Sequence, residues 1–488
     1  VDYTNICNLL VVDKVVYKVA VFSKSVSNCL PRDFLRKDFV VMEKWMLTTI
    51  LLCLYGVFKE LRPSEAFLTE YLIGPVGLNK TDVYHDVYPV WTYSYFSLMP
   101  LIFLLTDITK YKPILILEGI AYVATWILLL VGKDIPTMQA MQFTFAVATS
   151  TEIAYYTYIY AMVDVSKYKL VTSLTRASFL MGRFLSGITS QLTVKFGLLD
   201  YRSLNYVSLA DVSVAFLIAL ILPSVKHSMY FHSKDKVLDL NRTVGGFFNQ
   251  ALQKMREDLV FAYSSPHILK WSFWWAMATA GYMQAGNYIQ ALWEDIIPLE
   301  EDQERYNGVV EALTTSLGAA SSICVALVGV HWHKWGELTI TVLSLLDGAA
   351  LIFISNTKNI FLCYGGYIFF RVSYQILITI AGYEVASFIR KDSHGLIFGI
   401  NCFVALFIQT LMTIVIADDI IFELSVPTQF LIYGIYYLVL GLIFLIIFVS
   451  SVTAEKHLRG ISTVDENALG SVRKETVEIT KRIDDARF

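Results

Sequence analysis

Residues 138 to 163 read Met138-Gln-Ala-Met-Gln-Phe-Thr-Phe-Ala-Val-Ala-Thr149-Ser150-Thr151-Glu152-Ile153-Ala154-Tyr155-Tyr156-Thr-Tyr-Ile-Tyr-Ala-Met-Val163, an apolar, tyrosine-rich run with one charge, Glu152. The run is long enough to cross a bilayer as a helix. An ionised Glu at its centre costs about 3 kcal/mol on insertion scales, so it must face a protein interior or a water-filled cavity. A buried carboxylate of that kind implies a chain that handles a polar solute, and its sign is the first clue to the sign of the cargo.

The composition agrees with a membrane protein: 56% of the 488 residues are hydrophobic and 17% charged, with a mean hydropathy of +0.54. A soluble domain carries more charge. About twelve apolar runs of roughly 18 to 25 residues recur along the chain. They begin near Trp45, Val87, Pro113, Thr137, Leu170, Leu204, His267, Gly308, Gly336, Ile360, His394 and Pro427. The expected fold class is an all-α membrane protein, major-facilitator-like, with two six-helix bundles. The boundaries are 1–44 for an N-terminal segment, 45–222 for the first bundle, 223–266 for a central loop, 267–451 for the second bundle and 452–488 for a tail. The first segment lacks an initiator Met and precedes Met42-Glu43-Lys44, so it reads as an extension of the gene model.

Lysines and arginines (Lys110, Lys112, Lys167, Lys169, Lys334, Arg390, Lys391) fall in alternate loops, which places those loops, the central loop and both termini in the cytoplasm. The opposite loops hold Glu294-Asp295, Glu300-Glu301-Asp302 and Asp418-Asp419. Asn79-Lys80-Thr81 is a glycosylation sequon on that outer side, with a second sequon, Asn241-Arg242-Thr243, on the predicted inner side. The six cysteines form no CxxC pair and are assigned to packing. No HExxH or GxSxG motif supports an enzyme.

Polar groups inside the runs mark a candidate site. Lys59-Glu60-Leu61-Arg62-Pro63-Ser64-Glu65 interrupts the first run, because proline removes a donor and disfavours helix through the residue before it. A broken helix frees backbone groups to line a cavity and puts Glu65 near it; the alternative is a membrane-edge cluster in which Arg62 and Glu65 simply pair. Tyr88, Trp91 and Tyr95 share one helical face, either as an interfacial belt or as a wall for a flat cation. Glu152, Tyr155, Tyr156 and Ile159 share another face. Glu118, Arg176, Arg183, Glu311, Asp347, Arg371 and Glu384 are expected to be mostly paired at helix contacts, with Arg176 and Arg183 able to reach Glu118 or Glu152. Gly281-Tyr282-Met283-Gln284-Ala285-Gly286-Asn287 brackets amides with glycines, as close packing or a ligand contact would require.

At these residues the chain resembles the folate and thiamine carrier family, and its thiamine branch more than its folate branch. The resemblance runs from about Trp45 to Ser450. It rests on Arg62-Pro63-Ser64-Glu65-Ala66-Phe67-Leu68, Tyr88-Pro89-Val90-Trp91-Thr92-Tyr93-Ser94-Tyr95, Thr106-Asp107 with Tyr111-Lys112-Pro113, Thr151 to Tyr156, Tyr306-Asn307-Gly308 and Phe398-Gly399-Ile400-Asn401. By resemblance, folate carriers have Arg at Glu152 and Lys at Gln409, and the thiamine-contacting positions are Glu65, Tyr88, Trp91, Glu152, Tyr155 and Asn287, with Phe frequent at the place of Tyr88. The chain departs from the family at Leu174-Thr175-Arg176, where Tyr-x-Arg is usual, and at Glu118 and Glu384, where Gln is usual.

What the resemblance implies is a plasma-membrane carrier that imports thiamine by alternating access, with no cofactor and no metal. Its partners are thiamine or a related cationic vitamin and the lipid bilayer, with no nucleic acid. Proton coupling through Glu311 and Arg371 stays open. So do carriage of folate or another vitamin such as pyridoxine, and a receptor that binds without transporting.

Overall fold

The computed structural model describes residues 44–162, 168–225, 244–298, 304–328, 330–389, 394–417 and 424–453. The expected N-terminal extension up to residue 43, residues 226–243 of the central loop including the Asn241 sequon, and the tail from residue 454 lie outside these residues. The described residues are helical, with no strand among them. We number the long helices α1 (Lys44–Glu60), α2 (Tyr88–Ile108), α3 (Lys112–Val131), α4 (Ile135–Met162), α5 (Tyr168–Lys195) and α6 (Tyr201–Ile221), then α7 (Pro266–Ile296), α8 (Asn307–Leu327), α9 (Trp332–Asn356), α10 (Ile360–Phe388), α11 (His394–Met412, continued by a π turn at Thr413–Ala417) and α12 (Val426–Thr453). A further helix, Val244–Tyr263, precedes α7.

Eight of these elements are long and apolar enough to cross a membrane among the described residues: α2, α3, α6 and α8 to α12. The other four expected spans, α1, α4, α5 and α7, are helices that fall outside that group. In α5, Arg176, Arg183 and Lys195 dilute the apolar content; the described part of α1 is only 17 residues long. Outward faces expose Val131, Leu217, Phe361 and Ile446, as a lipid-facing surface requires.

Packing is by neighbours in two sets. α3 lies on α4 and α6, and α2 on α4; α7 lies on α10 and α11, and α10 on α8 and α9. The sets meet where α5 crosses α8 and where α2 touches α11. The α5–α8 crossing is close because it is made by glycines: a Cβ on Gly308 would stand 2.6 Å from the Gly187 carbonyl oxygen and 2.4 Å from Ser190 Oγ. Between α2 and α3 the chain turns through two left-handed residues, Lys110 (φ 63°) and Tyr111 (φ 67°), with the Tyr111 hydroxyl anchored on Asp107 Oδ1 at 3.0 Å.

Candidate functional site

The break after α1 organises the site. Arg62 leaves helical geometry (φ −127°, ψ 71°) in front of Pro63, and the chain resumes as a short 3₁₀ turn at Pro63–Phe67 and a helix at Leu68–Ile73. The freed backbone is satisfied by side chains from elsewhere. Ser208 Oγ of α6 accepts from the Ser64 N–H at 3.1 Å, and Gln290 of α7 both donates to the Glu65 carbonyl at 2.9 Å and accepts from the Thr69 N–H at 3.2 Å. Trp126 Nε1 holds the Ser64 hydroxyl at 2.8 Å. A buried broken helix left without such partners would be costly.

This break faces a cavity of about 340 Å³, within the range of small-molecule sites. Its walls include Glu65 from the break, Tyr88, Trp91 and Tyr95 from α2, Tyr122 and Trp126 from α3, Phe145, Thr149 and Glu152 from α4, Arg183 from α5, Tyr282, Asn287 and Gln290 from α7, Glu311 from α8, and Tyr367 and Arg371 from α10. Of the six residues predicted to touch the cargo, Glu65, Tyr88, Trp91, Glu152 and Asn287 line it together. Tyr155 does not. It is fully buried behind the wall, its hydroxyl donating to the Thr175 carbonyl at 3.1 Å and its ring 5.8 Å from that of Tyr55.

The charges form a connected network. Glu60 accepts from Arg183 Nε at 2.8 Å and Arg62 Nη2 at 3.2 Å, and Arg62 Nε also pairs with Glu65 at 3.0 Å. The pairing that the membrane-edge alternative required is therefore present, on the wall of the cavity. Behind it, fully buried Lys59 bonds Glu118 at 2.9 Å and approaches Glu152 at 3.8 Å, while Tyr55 donates to the other oxygen of Glu118 at 2.6 Å. Arg176 and Arg183, which the sequence allows to reach Glu118 or Glu152, pair with neither. Arg183 takes Glu60, and Arg176 reaches the Tyr156 hydroxyl at 3.1 Å, which itself donates to Glu152 at 3.2 Å. The lysine one turn below the break, not the arginines of α5, is what satisfies Glu118.

Internal cations sit over rings. The Arg62 guanidinium lies 4.9 Å from the Tyr122 ring centre and 5.7 Å from that of Phe145, Lys59 Nζ 4.6 Å from Tyr155, and Arg371 4.4 Å from Tyr282. Trp91 and Tyr95, 5.5 Å apart, keep their rings on the cavity, with Trp91 Nε1 fixed on Thr149 Oγ1 at 3.2 Å. Asn287 brings to the wall a buried Nδ2 without a hydrogen-bond partner. Among the lining residues four carboxylates (Glu60, Glu65, Glu152, Glu311) face three guanidiniums (Arg62, Arg183, Arg371), an excess of one formal negative charge; the Lys59–Glu118 pair behind the wall leaves that balance unchanged. Gln409, whose residue type bears on cargo sign by resemblance, is buried in α11 and does not line the cavity.

Sequence reading missed Glu60 as the hub of the network, and Gln290. On the side of the Asn79 loop the cavity is capped by contacts between the two helix sets. Asn307 donates to Glu70 at 2.6 Å and accepts from Tyr364 at 2.9 Å, Lys80 pairs with Glu294 at 3.4 Å, and Gln191 donates to the Arg305 carbonyl at 2.8 Å. Asn79 is exposed, its side-chain amide donating to Asp82 at 3.0 Å.

Comparison with known proteins follows the same lines. Residues 43–432 match the model of the reduced folate carrier family. Thiamine transporter 1 of Homo sapiens is 38% identical over 453 residues, covering 84% of this chain and 91% of that protein, and thiamine transporter 2 of Homo sapiens is 39% identical over 444 residues, covering 82% and 89%. Folate transporter 1 of Caenorhabditis elegans is 37% identical over 448 residues, covering 89% and 98%. Among solved structures, the POT family transporter PepTSo superposes with a TM-score of 0.64 at 12% identity over 84% of this chain and 99% of that one, and the nucleoside transporter NupG with 0.55 at 13% identity over 83% and 99%. These similarities fix an all-α, major-facilitator-like transporter fold.

Proposed function

The chain belongs to the reduced folate carrier family, and on that footing we propose that it is a thiamine carrier of the plasma membrane, working by alternating access. The observation that carries the cargo assignment is the single excess carboxylate in a cavity walled by aromatic rings. Thiamine presents a permanent positive charge on a flat thiazolium and an aminopyrimidine with a hydrogen-bonding edge. Glu152 and Glu65 balance the charge or take the pyrimidine edge, Trp91 and Tyr88 offer ring faces, and Asn287 supplies a hydrogen bond from α7. Tyr155 acts from behind, holding Lys59 in place beneath Glu152.

The two helix sets are read as two six-helix bundles with the cavity between them, so a cargo touching both couples binding to closure. With Asn79 and its loop outside and both termini in the cytoplasm, the cap formed by Asn307, Glu70 and Gln191 seals the outer side. Thiamine competition in radiolabelled uptake, followed by counterflow in proteoliposomes, tests both the cargo and the transport step. An imposed pH gradient on the same vesicles reads proton coupling, for which Glu311 on the cavity wall is the group to vary.

One observation favours a second reading. Arg371 faces the cavity with a ring on either side and no carboxylate within ion-pair distance among the described residues, so it could take the anionic tail of a folate. Folate that displaces thiamine at equal concentration would favour that reading.

A further inference from the structure

Away from the cavity, at the ends of α7, α9 and α10, His267, His333 and Glu384 converge. His267 Nε2 lies 3.1 Å and His333 Nδ1 3.4 Å from the same oxygen, Glu384 Oε2, and the three donor atoms all lie within 4.8 Å of one another. Glu384 is 1% exposed, and its second oxygen is buried without a hydrogen-bond partner. Phe388 closes the apolar side, its ring centre 4.2 Å from that of His267. An ion pair between Lys270 and Glu337 joins α7 to α9 one turn further along, so these two helix ends are held in register independently of the histidines.

We propose that this cluster is a binding site for a divalent transition-metal ion of the zinc class, stapling α7 to α9 and α10. Two imidazoles and a carboxylate are a donor set that Zn²⁺ takes, with bonds of about 2.0 to 2.2 Å and thus donor atoms about 3.3 Å apart in a tetrahedral shell. The two distances to Glu384 bracket that separation. The two imidazoles need to close by about 1.5 Å at most to match it, and His333, whose side chain is 70% exposed, is free to make that movement and leaves the fourth position open to water. A dication also answers the charge problem: neutral imidazoles leave a buried carboxylate uncompensated, which is unfavourable.

The test uses the full chain purified in detergent and stripped with a chelator, titrated with ZnCl₂ by calorimetry and monitored by thermal unfolding. One zinc per chain is expected, with a rise in melting temperature of several degrees that chelator reverses, and visible ligand-field bands when Co²⁺ is substituted. His333→Ala, an exposed change that folding should tolerate, is expected to weaken the affinity at least tenfold; Glu384→Gln should do the same. Absence of stoichiometric zinc binding would overturn the site, as would equal affinity in wild type and His333→Ala. Stabilisation by acid but not by zinc would overturn it too, showing an ordinary histidinium–carboxylate pair.

Discussion

Neutralising Glu152 is the sharpest test of the cavity. In Glu152→Gln the side chain keeps its size and its capacity to accept from Tyr156, while Lys59 keeps its 2.9 Å bond to Glu118, so the fold should persist. What disappears is the excess negative charge on the wall. A monovalent cation about 4 Å from that carboxylate is attracted by about 4 kcal/mol at an effective dielectric of 20 and by about 1 kcal/mol in bulk water. Glu152 is 28% exposed, between these limits, and about 2 kcal/mol is a fair central figure, roughly a thirtyfold loss of affinity. Saturation uptake of radiolabelled thiamine, normalised to surface-biotinylated protein, should therefore show KM rising about thirtyfold with surface expression retained. Unchanged kinetics at normal surface level would refute the assignment of Glu152 to cargo binding.

Glu118→Gln makes a contrast, because it strips the only hydrogen-bonded carboxylate from fully buried Lys59; a loss of about 3 kcal/mol or more in stability is expected, read as lost surface expression and a lower melting temperature. Trp91→Ala should weaken thiamine by about 0.5 to 2 kcal/mol, and Trp91→Phe by less, measured as KM; equal KM in all three would remove the ring from the site. Gly308→Leu should abolish uptake, since its Cβ alone would overlap the Gly187 carbonyl, whereas the same change at Gly365, where a Cβ would meet no other side chain or neighbouring helix within 4 Å, should be tolerated. Asn79→Gln should eliminate a glycosidase-sensitive mobility shift; a shift that persists would contradict an outer location for that loop.

Much of this was legible in the sequence, and its gaps have physical causes. The fold class followed from run length and the cost of charge in lipid. The break followed from Pro63, and the wall formed by Tyr88 and Trp91 from helical spacing. Spacing alone could not place Tyr155. Residues three and four apart diverge by about 60° one way and about 40° the other around a helix, so a face that presents Glu152 to a cavity turns Tyr155 away into its neighbours. The partners of the buried charges were equally hidden. Lys59 finds Glu118, and Glu60 finds Arg183, across separations of 59 and 123 residues, which no periodicity encodes. Length and apolarity, finally, singled out eight helices among the described residues and missed the others, α1 because its described part is only 17 residues long and α5 because its charged residues lower its hydropathy.

The clasp made by Gln290 has a consequence for how such a carrier can change over time. Its two hydrogen bonds end on main-chain atoms, the Glu65 carbonyl and the Thr69 N–H, not on side chains. Side chains along the broken segment can therefore be exchanged by mutation while the joint beneath them survives, leaving a lineage free to explore new vitamins without first reinventing the hinge.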